Sequence, residues 1–315
     1  MQIVILDGHG LNPGDLSWDC LRGFGNLSVY DRTDMRLAAT RLRGADVVLT
    51  NKTPITAEAL KGANRLRLIS VLATGYDCVD TYACREKGIT VCNVPAYSTN
   101  AVAQLAFAHI LELAHRVGDH SYAIRHGAWT ASPDFCFWKQ SPVELYGKTL
   151  GILGTGQVGM RVAQIGAAFG MRVLGCSRNV KPDFAGEYVT LDTLLAQADV
   201  LTLHCPATAE TKGIINAAAI NKMKAGTWLI NTARGSLINE DDVATALKSG
   251  QLGGFAADVL SVEPPPITHP LLSAPNCVFT GHFGWAPLSA RLRLLDVTYQ
   301  NLAAWFSGRS QNVVN

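Results

Sequence analysis

Residues 150–159 have the sequence LGILGTGQVG, in which a short apolar run leads into the pattern G-x-G-x-x-G. The run is typical of a buried strand, and the residues after the second glycine are typical of the start of a helix. Between the two, Gly154 permits a tight turn, Gly156 lets the backbone approach a pyrophosphate, and Gly159 lets the helix pack against the strand. The N–H groups at the helix N-terminus favour the negative charge of such a group. The stretch therefore predicts a dinucleotide-binding unit.

Strand and helix signals alternate on both sides of this stretch. Before it, short runs rich in Val, Ile and Leu are separated by helical patterns at Leu16–Gly23, Met35–Arg43 and Thr56–Leu60. After it, a second alternating series follows, and an amphipathic helix at Ala290–Phe306 closes the chain. Such alternation predicts parallel sheets with helices on both faces. Because 315 residues exceed what one hydrophobic core usually serves, we expect an α/β protein with two doubly wound parallel-sheet domains.

The segment between the two series has a different pattern. It predicts one long helix from about Asn100 to Arg116, and residues Tyr122 to Trp138 then show little periodicity and many aromatic side chains. The helix and the aromatic segment Trp129–Trp138 carry more apolar surface than one domain should expose, which predicts an interface. His109, Glu112 and His115 have a spacing of three residues and could be metal ligands. Since only one such helix is present, we expect a structural helix face and no metal site.

The composition argues against several classes of partner. The 27 Lys and Arg residues nearly balance the 25 Asp and Glu residues and form no basic block, so neither nucleic acid nor a membrane surface is expected as a partner. The longest apolar stretch, Ala101–Val117, holds too many polar groups for a membrane span. The 8 cysteines occur singly, and the chain begins with a strand-like run in place of a signal peptide. We expect a cytoplasmic protein with reduced thiols.

The end of the predicted strand Arg172–Cys176 bears on the choice of nucleotide. Units that bind NAD carry an acid there, about 20 residues past the glycine motif, which binds the ribose hydroxyls. This chain has Ser177 and Arg178, and a hydroxyl followed by a guanidinium suits the 2′-phosphate of NADP. We therefore expect NADP to be preferred, with NAD usable. Two other interpretations of Arg178 stay open: an exposed loop residue, or a side chain that stacks on adenine.

Three further stretches follow predicted strands at their carboxyl ends. They are NTARG at 231–235, DVLSVEP at 258–264 and GHFGW at 281–285. Ligands of doubly wound sheets bind beyond such strand ends, where Arg234, Asp258, Glu263 and His282 would cluster. Hydride transfer to a 2-oxo acid needs a cation for the carboxylate, a proton donor for the carbonyl oxygen, and a carboxylate that orients and stabilises the donor. Arg234, His282 and Glu263 suit these three roles.

Over nearly its whole length the chain resembles the D-isomer-specific 2-hydroxyacid dehydrogenase family. The matching stretches are the glycine motif, LHCP at 203–206 and the three strand-end stretches. The stretches ATGYD at 73–77, CNVPAYST at 92–99 and DFCFWK at 134–139 resemble the glycerate dehydrogenase, or hydroxypyruvate reductase, branch. The resemblance implies a Rossmann cofactor domain at residues 98–286. It also implies a flavodoxin-like, split substrate domain at residues 1–97, completed by 287–315.

The resemblance implies a reaction and roles for single residues. The expected reaction is hydride transfer between NAD(P)H and a small 2-oxo or 2-hydroxy acid, with hydroxypyruvate and glyoxylate reduced to D-glycerate and glycolate. Arg234 would anchor the substrate carboxylate with the N–H groups of Ala73, Thr74 and Gly75, His282 would be the acid/base, and Glu263 its partner. A two-fold homodimer built on the cofactor domains is implied, in which Trp138 reaches the substrate of the partner. The expected cofactor-binding residues are Gly154, Thr155, Gly156, Gln157, Val158, Gly159, Ser177, Arg178, His204, Cys205, Pro206, Thr211, Thr232, Ala233, Asp258 (on the nicotinamide amide) and Gly284.

Other functions are weighed against this one. A nicotinamide-sensing corepressor of the same fold would bind the nucleotide without turnover, and we see no disordered tail for partner docking. Formate dehydrogenases of this fold have Gln in place of the acid, so Glu263 argues against formate as substrate. Phosphoglycerate stays open as an alternative, although Ala73–Asp77 contains no basic residue that would favour it.

Overall fold

The computed structural model describes all residues from Met1 to Asn315 and divides into two compact units. The first unit comprises Met1–Ser98 and Trp285–Asn315, and the second comprises Thr99–Gly284. These limits differ from the expected domain boundaries by one residue at the first junction and by two at the second. No helix is both long and apolar enough to span a membrane.

The first unit is built on a five-stranded parallel sheet in the order β2-β1-β3-β4-β5. The run of Val47–Thr50 is buried at every position, as expected for a strand covered on both faces, and it lies at the centre of the sheet. The order is that of flavodoxin-like sheets, which confirms the predicted fold class. The strands are β1 (Gln2–Ile5), β2 (Asn26–Val29), β3 (Val47–Thr50), β4 (Leu68–Val71) and β5 (Thr90–Cys92).

Three helices connect these strands: α1 (Gly8–Leu11), α2 (Met35–Arg43) and α3 (Thr81–Glu86). The prediction of a helix at Leu16–Gly23 was wrong, because the structure has a 3₁₀ segment at Asp19–Phe24. The reason is Asn12, whose side chain binds both the N–H and the C=O of Leu16 and so holds them out of a helix. The prediction of a helix at Thr56–Leu60 was also wrong. This stretch makes only isolated turns, because it is too short to nucleate a helix.

The second unit carries a seven-stranded parallel sheet in the order β12-β11-β10-β9-β6-β7-β8. The direction of the strand order reverses between β6 and β9, as in the Rossmann fold, and this reversal marks the ligand-binding edge. The two-residue strand β8 has no sequence signal and was not predicted. The strands are β6 (Thr149–Leu153), β7 (Arg172–Cys176), β8 (Glu187–Tyr188), β9 (Val200–Leu203), β10 (Thr227–Asn231), β11 (Leu252–Ala257) and β12 (Cys277–Phe279).

The first helical segment of the second unit is interrupted at Arg116, which the sequence did not predict. The expected long helix is α4 (Thr99–His115), but a second helix, α5 (Val117–Arg125), follows it. Between them Arg116 takes a left-handed conformation, with φ of 48°. Only Ala123 of α5 is buried, so α5 has no apolar periodicity that would have predicted it. The part of Tyr122–Trp138 up to Arg125 is therefore helical, contrary to expectation.

The remaining helices cover both faces of the sheets. Helix α4 packs against α6 (Gln157–Ala168), β10, β11 and β12 on one face of the second sheet, whereas α9 (Glu240–Ser249) packs on β11 on the opposite face. The last helix, α10, belongs to the first unit, where it packs against β4 and the 3₁₀ segment. There Arg291 clamps both carboxylate oxygens of Asp15 at 2.6 Å. The helices are α6 (Gln157–Ala168), α7 (Leu191–Gln197), α8 (Ala217–Ile220), α9 (Glu240–Ser249) and α10 (Leu288–Phe306).

Candidate active site

The glycine motif forms the turn between β6 and α6. Gly154 has a φ of 97°, and a Cβ built on it would lie 2.4 Å from the backbone N of Cys205. A Cβ on Gly159 would lie 2.1 Å from the carbonyl oxygen of Gly154, so this residue permits the helix to approach the strand. At Gly156, the N-cap of α6, an added Cβ would meet nothing within 4 Å, and no side chain caps the helix. The turn thus leaves open space in front of unpaired helix N–H groups.

The other residues of the motif divide between the surface and the core. Gln157 is exposed and Val158 is half-buried at the start of α6. Thr155 is buried, and its hydroxyl lies 3.0 Å from the hydroxyl of Tyr188. Its side chain therefore supports the turn from within, and only its backbone can face a ligand.

His204 and Cys205 follow β9, directly beside the glycine turn at the point where the strand order reverses. The N–H of His204 donates to the carbonyl of Leu153 at 2.7 Å, and its Nε2 lies 2.9 Å from Oγ1 of Thr202. Loss of hydration around the ring lowers the pKa of His204 to about 3. This histidine is therefore a neutral wall of the site and not its acid. Burial raises the pKa of the Cys205 thiol, so that group stays protonated as well.

A loop behind Cys205 is held by a threonine. The hydroxyl of Thr211 donates to the carbonyl of Pro206 at 2.7 Å and accepts from the N–H of Thr208 at 2.8 Å. The predicted cofactor residues Pro206 and Thr211 thus form one turn, which also brings Glu210 to the end of β7. There Nη1 of Arg178 lies 3.2 Å from Oε2 of Glu210, and both side chains are about three-quarters exposed (76% and 73%). Ser177, next to Arg178, is half-buried.

The turn after β10 presents Thr232, Ala233 and Arg234. Asn231 shapes this turn, since its Oδ1 accepts from the N–H of Ala233 at 3.1 Å and its Nδ2 donates to the carbonyl of Arg234 at 2.8 Å. Thr232 is buried, and its hydroxyl has no hydrogen-bond partner within the chain. A buried polar group without a partner is costly unless a ligand satisfies it. The turn therefore presents one hydroxyl without a partner inside the chain, beside Arg234, whose Nη1 donates to the carbonyl of Ala233 at 2.8 Å.

Glu263 and His282 lie on two neighbouring loops and contact each other. Nδ1 of His282 lies 2.6 Å from Oε2 of Glu263, and the second oxygen, Oε1, accepts from the N–H of Leu260 at 3.0 Å. A Cβ on Gly235 would lie 2.0 Å from the carbonyl carbon of Leu260, so the loop of Arg234 and the loop of Glu263 are in direct contact. The structure therefore brings the loops of Arg234, Glu263 and His282 together at one edge of the sheet.

Comparison with known proteins identifies this arrangement. A family model described as the NAD-binding domain of D-isomer specific 2-hydroxyacid dehydrogenases matches residues 107–284, more than half of the chain. A hydroxypyruvate reductase from Blautia hydrogenotrophica is 45% identical over the full length of both chains. The chain belongs to the D-isomer-specific 2-hydroxyacid dehydrogenase family. It is an oxidoreductase with a nicotinamide cofactor domain, as the sequence predicted.

Other members resemble this 2-hydroxyacid dehydrogenase at lower identity. A glycerate dehydrogenase from Methylorubrum extorquens is 40% identical over 87% of each chain. The solved structure of an acyclic imino acid reductase in complex with NADPH and D-Arg matches the whole of both chains, with a TM-score of 0.88 and 29% identity. These matches confirm the family, and its glycerate dehydrogenase branch, that the sequence indicated.

Asp258, which is expected to bind the nicotinamide amide, also makes hydrogen bonds within the chain. It is buried, and its Oδ1 accepts from Oγ1 of Thr280 at 2.6 Å and from the N–H of Phe283 at 3.0 Å. Its Oδ2 accepts from the N–H of Gly284 at 2.9 Å. A Cβ on Gly284 would also approach Leu105 of α4 to 3.0 Å. Asp258 and Gly284 therefore hold the loop of His282, and a contact of either with the cofactor stays a prediction.

Glu240 and His269, which the sequence analysis missed, support the loop of Glu263. Glu240 accepts from the N–H of Ser261 at 2.8 Å and from its hydroxyl, and His269 Nε2 lies 3.1 Å away. The His269 ring is nearly buried, with 6% of its side chain exposed. No motif marks these two residues, because they are 29 positions apart and make contact only in the folded chain.

The predicted substrate residues of the first unit follow β4. The turn Ala73–Gly75 is held by hydrogen bonds from the Thr74 hydroxyl to the Val94 carbonyl at 2.8 Å and from the Val94 N–H to the Ala73 carbonyl at 3.0 Å. The neighbouring loop carries Lys52, whose exposed side chain is a cation that the sequence analysis did not consider. In the second unit, Trp138 is 58% exposed. Roles of these residues in substrate binding stay predictions.

Proposed function

We propose that this dehydrogenase reduces hydroxypyruvate and glyoxylate to D-glycerate and glycolate with NAD(P)H. The observation that carries the proposal is the 2.6 Å contact between His282 and Glu263, next to the loop of Arg234. Reduction of a 2-oxo acid needs a proton donor and a carboxylate anchor, and these residues supply both. The names of the relatives from Blautia hydrogenotrophica and Methylorubrum extorquens support these substrates.

Each of the three side chains has a defined task in this proposal. The guanidinium of Arg234 binds the substrate carboxylate through two hydrogen bonds. His282 gives a proton to the carbonyl oxygen through Nε2, because its Nδ1 faces Glu263. Glu263 stabilises the imidazolium and fixes the ring, as its other oxygen is itself held by the N–H of Leu260. The N–H groups of Ala73–Gly75 stay the predicted second anchor.

The glycine turn fits a nicotinamide dinucleotide. Gly156 leaves room for a pyrophosphate at the N-terminus of α6, and the hydroxyl of Thr232 lacks a partner inside the chain. When bound, the nicotinamide ring supplies or accepts the hydride. The neutral ring of His204 and the turn of Pro206 and Thr211 would line the same cofactor.

NADP is our proposed preferred cofactor, with NAD usable. The chain has no acid directly after β7 in sequence, and Ser177 and Arg178 can donate to a 2′-phosphate. The ion pair of Arg178 with Glu210 is exposed, and such pairs contribute only about 0–1 kcal/mol, so the guanidinium can leave it at little cost. The related imino acid reductase was solved with NADPH.

We also propose a homodimer built on the second unit. Apolar and aromatic side chains are exposed on and after α5, namely Val117, Tyr122, Trp129, Phe135 and Trp138. This much apolar surface is rare on a monomer. Sedimentation at micromolar concentration is expected to give twice the mass of 33.8 kDa. A monomer under these conditions would contradict the proposal.

Turnover with a panel of 2-oxo acids tests the proposed substrates. The panel contains hydroxypyruvate, glyoxylate, pyruvate, phenylpyruvate and 3-phosphohydroxypyruvate, each with NADPH and with NADH. We expect the highest kcat/KM with hydroxypyruvate and glyoxylate. A preference for the phosphorylated acid would point to the cation of Lys52, and nucleotide binding without turnover would point to a sensing protein.

A further inference from the structure

His109 is a buried histidine that the proposed chemistry does not use. It lies on the inner face of α4 with 2% of its surface exposed. Its Nε2 lies 3.1 Å from Oγ1 of Thr280, while its Nδ1 is buried without a partner. Burial lowers the pKa of His109, although the charge of Asp258 raises it in part, so the ring is neutral near pH 7.

The direction of the hydrogen bonds in this cluster follows from the donors and acceptors. The carboxylate of Asp258 can only accept, so the hydroxyl proton of Thr280 points to its Oδ1, at 2.6 Å. The oxygen of Thr280 is then left to accept from His109, which must carry its single proton on Nε2. One chain of donation therefore runs from His109 through Thr280 to Asp258.

This chain ends on the backbone that carries His282. Asp258 accepts from the N–H groups of Phe283 and Gly284, the two residues directly after His282. His282 itself has a φ of 54°, a left-handed conformation that is unfavourable for a residue with a side chain. Surrounding contacts must therefore hold the backbone of His282 in this conformation. The hydrogen bonds of Asp258 do so through the next two peptide N–H groups.

We propose that His109 and Thr280 are positioning residues that act through Asp258 to hold His282 in line with the reacting carbonyl. The inference rests on the proposed function, since it gives His282 a substrate to face. None of the three residues needs to touch the substrate for this effect. His109 fixes the rotamer of the Thr280 hydroxyl, and Thr280 supplies the third hydrogen bond that keeps the carboxylate of Asp258 oriented.

We call the hydrogen-bond chain from His109 through Thr280 to Asp258 the relay, and the variants Thr280→Val and Thr280→Ser test it. Valine has the shape of threonine but cannot donate or accept, so we expect kcat to fall roughly 10-fold to 100-fold, the cost of misplacing a reacting group, with KM for the nucleotide within about twofold of its value. Serine keeps the hydroxyl and should recover most of kcat. His109→Leu should lower kcat by a smaller factor, because Thr280 can still donate to Asp258.

Thr227→Val is the matched control. Thr227 is a buried threonine at the start of β10 in the same sheet, where it donates to the carbonyls of Ala198 and Lys224, whereas Thr280 is half-buried. It should lower Tm without lowering kcat. A kcat for Thr280→Val equal to that of Thr227→Val would overturn the relay, and so would a rise in nucleotide KM at unchanged kcat.

A spectroscopic measurement tests the relay without turnover. In the full-length protein labelled with ¹⁵N-histidine, His109 should show the tautomer with the proton on Nε2, and Thr280→Val should remove its hydrogen-bond shift. A proton on Nδ1 would overturn the proposed direction. Failure of the wild type to reduce hydroxypyruvate would instead reject the proposed function, and the kcat ratios would then be taken with the 2-oxo acid that the panel identifies.

Discussion

Nδ1 of His282 lies 2.6 Å from Oε2 of Glu263, although the two residues are 19 positions apart and lie on different loops. A carboxylate only accepts, so the imidazole donates from Nδ1 and presents Nε2 for proton transfer. The loops are fixed independently: Asp258 holds that of His282, and Glu240 holds that of Glu263. The pair is thus preformed, which reduces the reorganisation needed when a carbonyl oxygen gains charge.

Replacement of Glu263 should separate its electrostatic role from its structural one. Glu263→Gln keeps an acceptor for Nδ1 but removes the negative charge that stabilises the imidazolium. We expect the pH optimum for reduction to move down, because the protonated ring then persists only at lower pH. A pH profile of Glu263→Gln that coincides with the wild-type profile would contradict the pairing.

Replacement of His282 should remove the proton donor itself. His282→Ala should lower kcat by ~10²–10⁴-fold, with nucleotide binding retained.

The sequence predicted the parts of the molecule that local patterns govern. Strand β7 has the predicted limits, Arg172–Cys176, because a buried apolar run between turn residues leaves few alternatives. The prediction of a helix at Leu16–Gly23 was wrong because the side chain of Asn12, four positions before Leu16, binds the backbone of that residue. Local propensity does not include such contacts.

The candidate site shows the same division. Arg234, Glu263 and His282 follow strand ends within motifs, so the resemblance could assign them. His109 and Glu240 carry no such signal, since their partners Thr280 and His269 are 171 and 29 positions away. The resemblance implies that Asp258 binds the nicotinamide amide. Its hydrogen bonds to the loop of His282 have no sequence signal and become visible only in the folded chain.

Arg234 should determine the affinity for the substrate carboxylate and not that for the nucleotide. Arg234→Lys keeps the charge but loses the two parallel hydrogen bonds, so we expect KM for hydroxypyruvate to rise by roughly 10-fold. Arg234→Ala should raise it further. The dissociation constant of NADPH, measured by its fluorescence, serves as the control and should change by less than about twofold. Equal losses in substrate and nucleotide affinity would show that Arg234 shapes the whole edge of the sheet.

The network around Glu240 should contribute to both stability and rate. Glu240→Ala removes the acceptor of the exposed Ser261 and of the nearly buried His269, and the one buried donor left unsatisfied, that of His269, costs about 1–3 kcal/mol. We expect a lower Tm and a lower kcat, because the loop of Glu263 loses its support. Asp241→Ala, an exposed change one position further along α9, is the control. Thermal unfolding and kcat that match this control would exclude a supporting role for Glu240.

The neutral state of His204 should appear in the pH dependence of stability. The unfolded ring takes up a proton below about pH 6.5, whereas the folded ring, with its pKa lowered to about 3, does not. The unfolded state therefore binds more protons as the pH falls from about 6.5 toward 3, and the free energy of unfolding decreases by at most about 1.4 kcal/mol per pH unit from this group. Between pH 7 and pH 5 the carboxylates stay ionised, so this window isolates histidines. His204→Asn should give a flatter dependence in urea unfolding, and an unchanged slope would contradict the assignment.

The choice of nucleotide should depend on three residues at the end of β7. Arg178→Ala should raise KM for NADPH by roughly tenfold to a hundredfold, the value of a charge-assisted hydrogen-bonded pair, and leave KM for NADH nearly unchanged. Ser177→Asp should reverse the preference, because a carboxylate repels the 2′-phosphate and binds the ribose hydroxyls of NADH.

A third variant, Glu210→Gln, tests the ion pair seen in the structure. It releases Arg178 from a competing anion at 3.2 Å, so KM for NADPH should fall by a few-fold at low salt. The effect should fade as the ionic strength rises, because salt screens exposed charges. If Arg178 stacks on adenine, Arg178→Ala would weaken both nucleotides alike. Equal kcat/KM for NADPH and NADH in the wild type, or a preference for NADH, would show that the absence of an acid at Ser177 does not decide the cofactor.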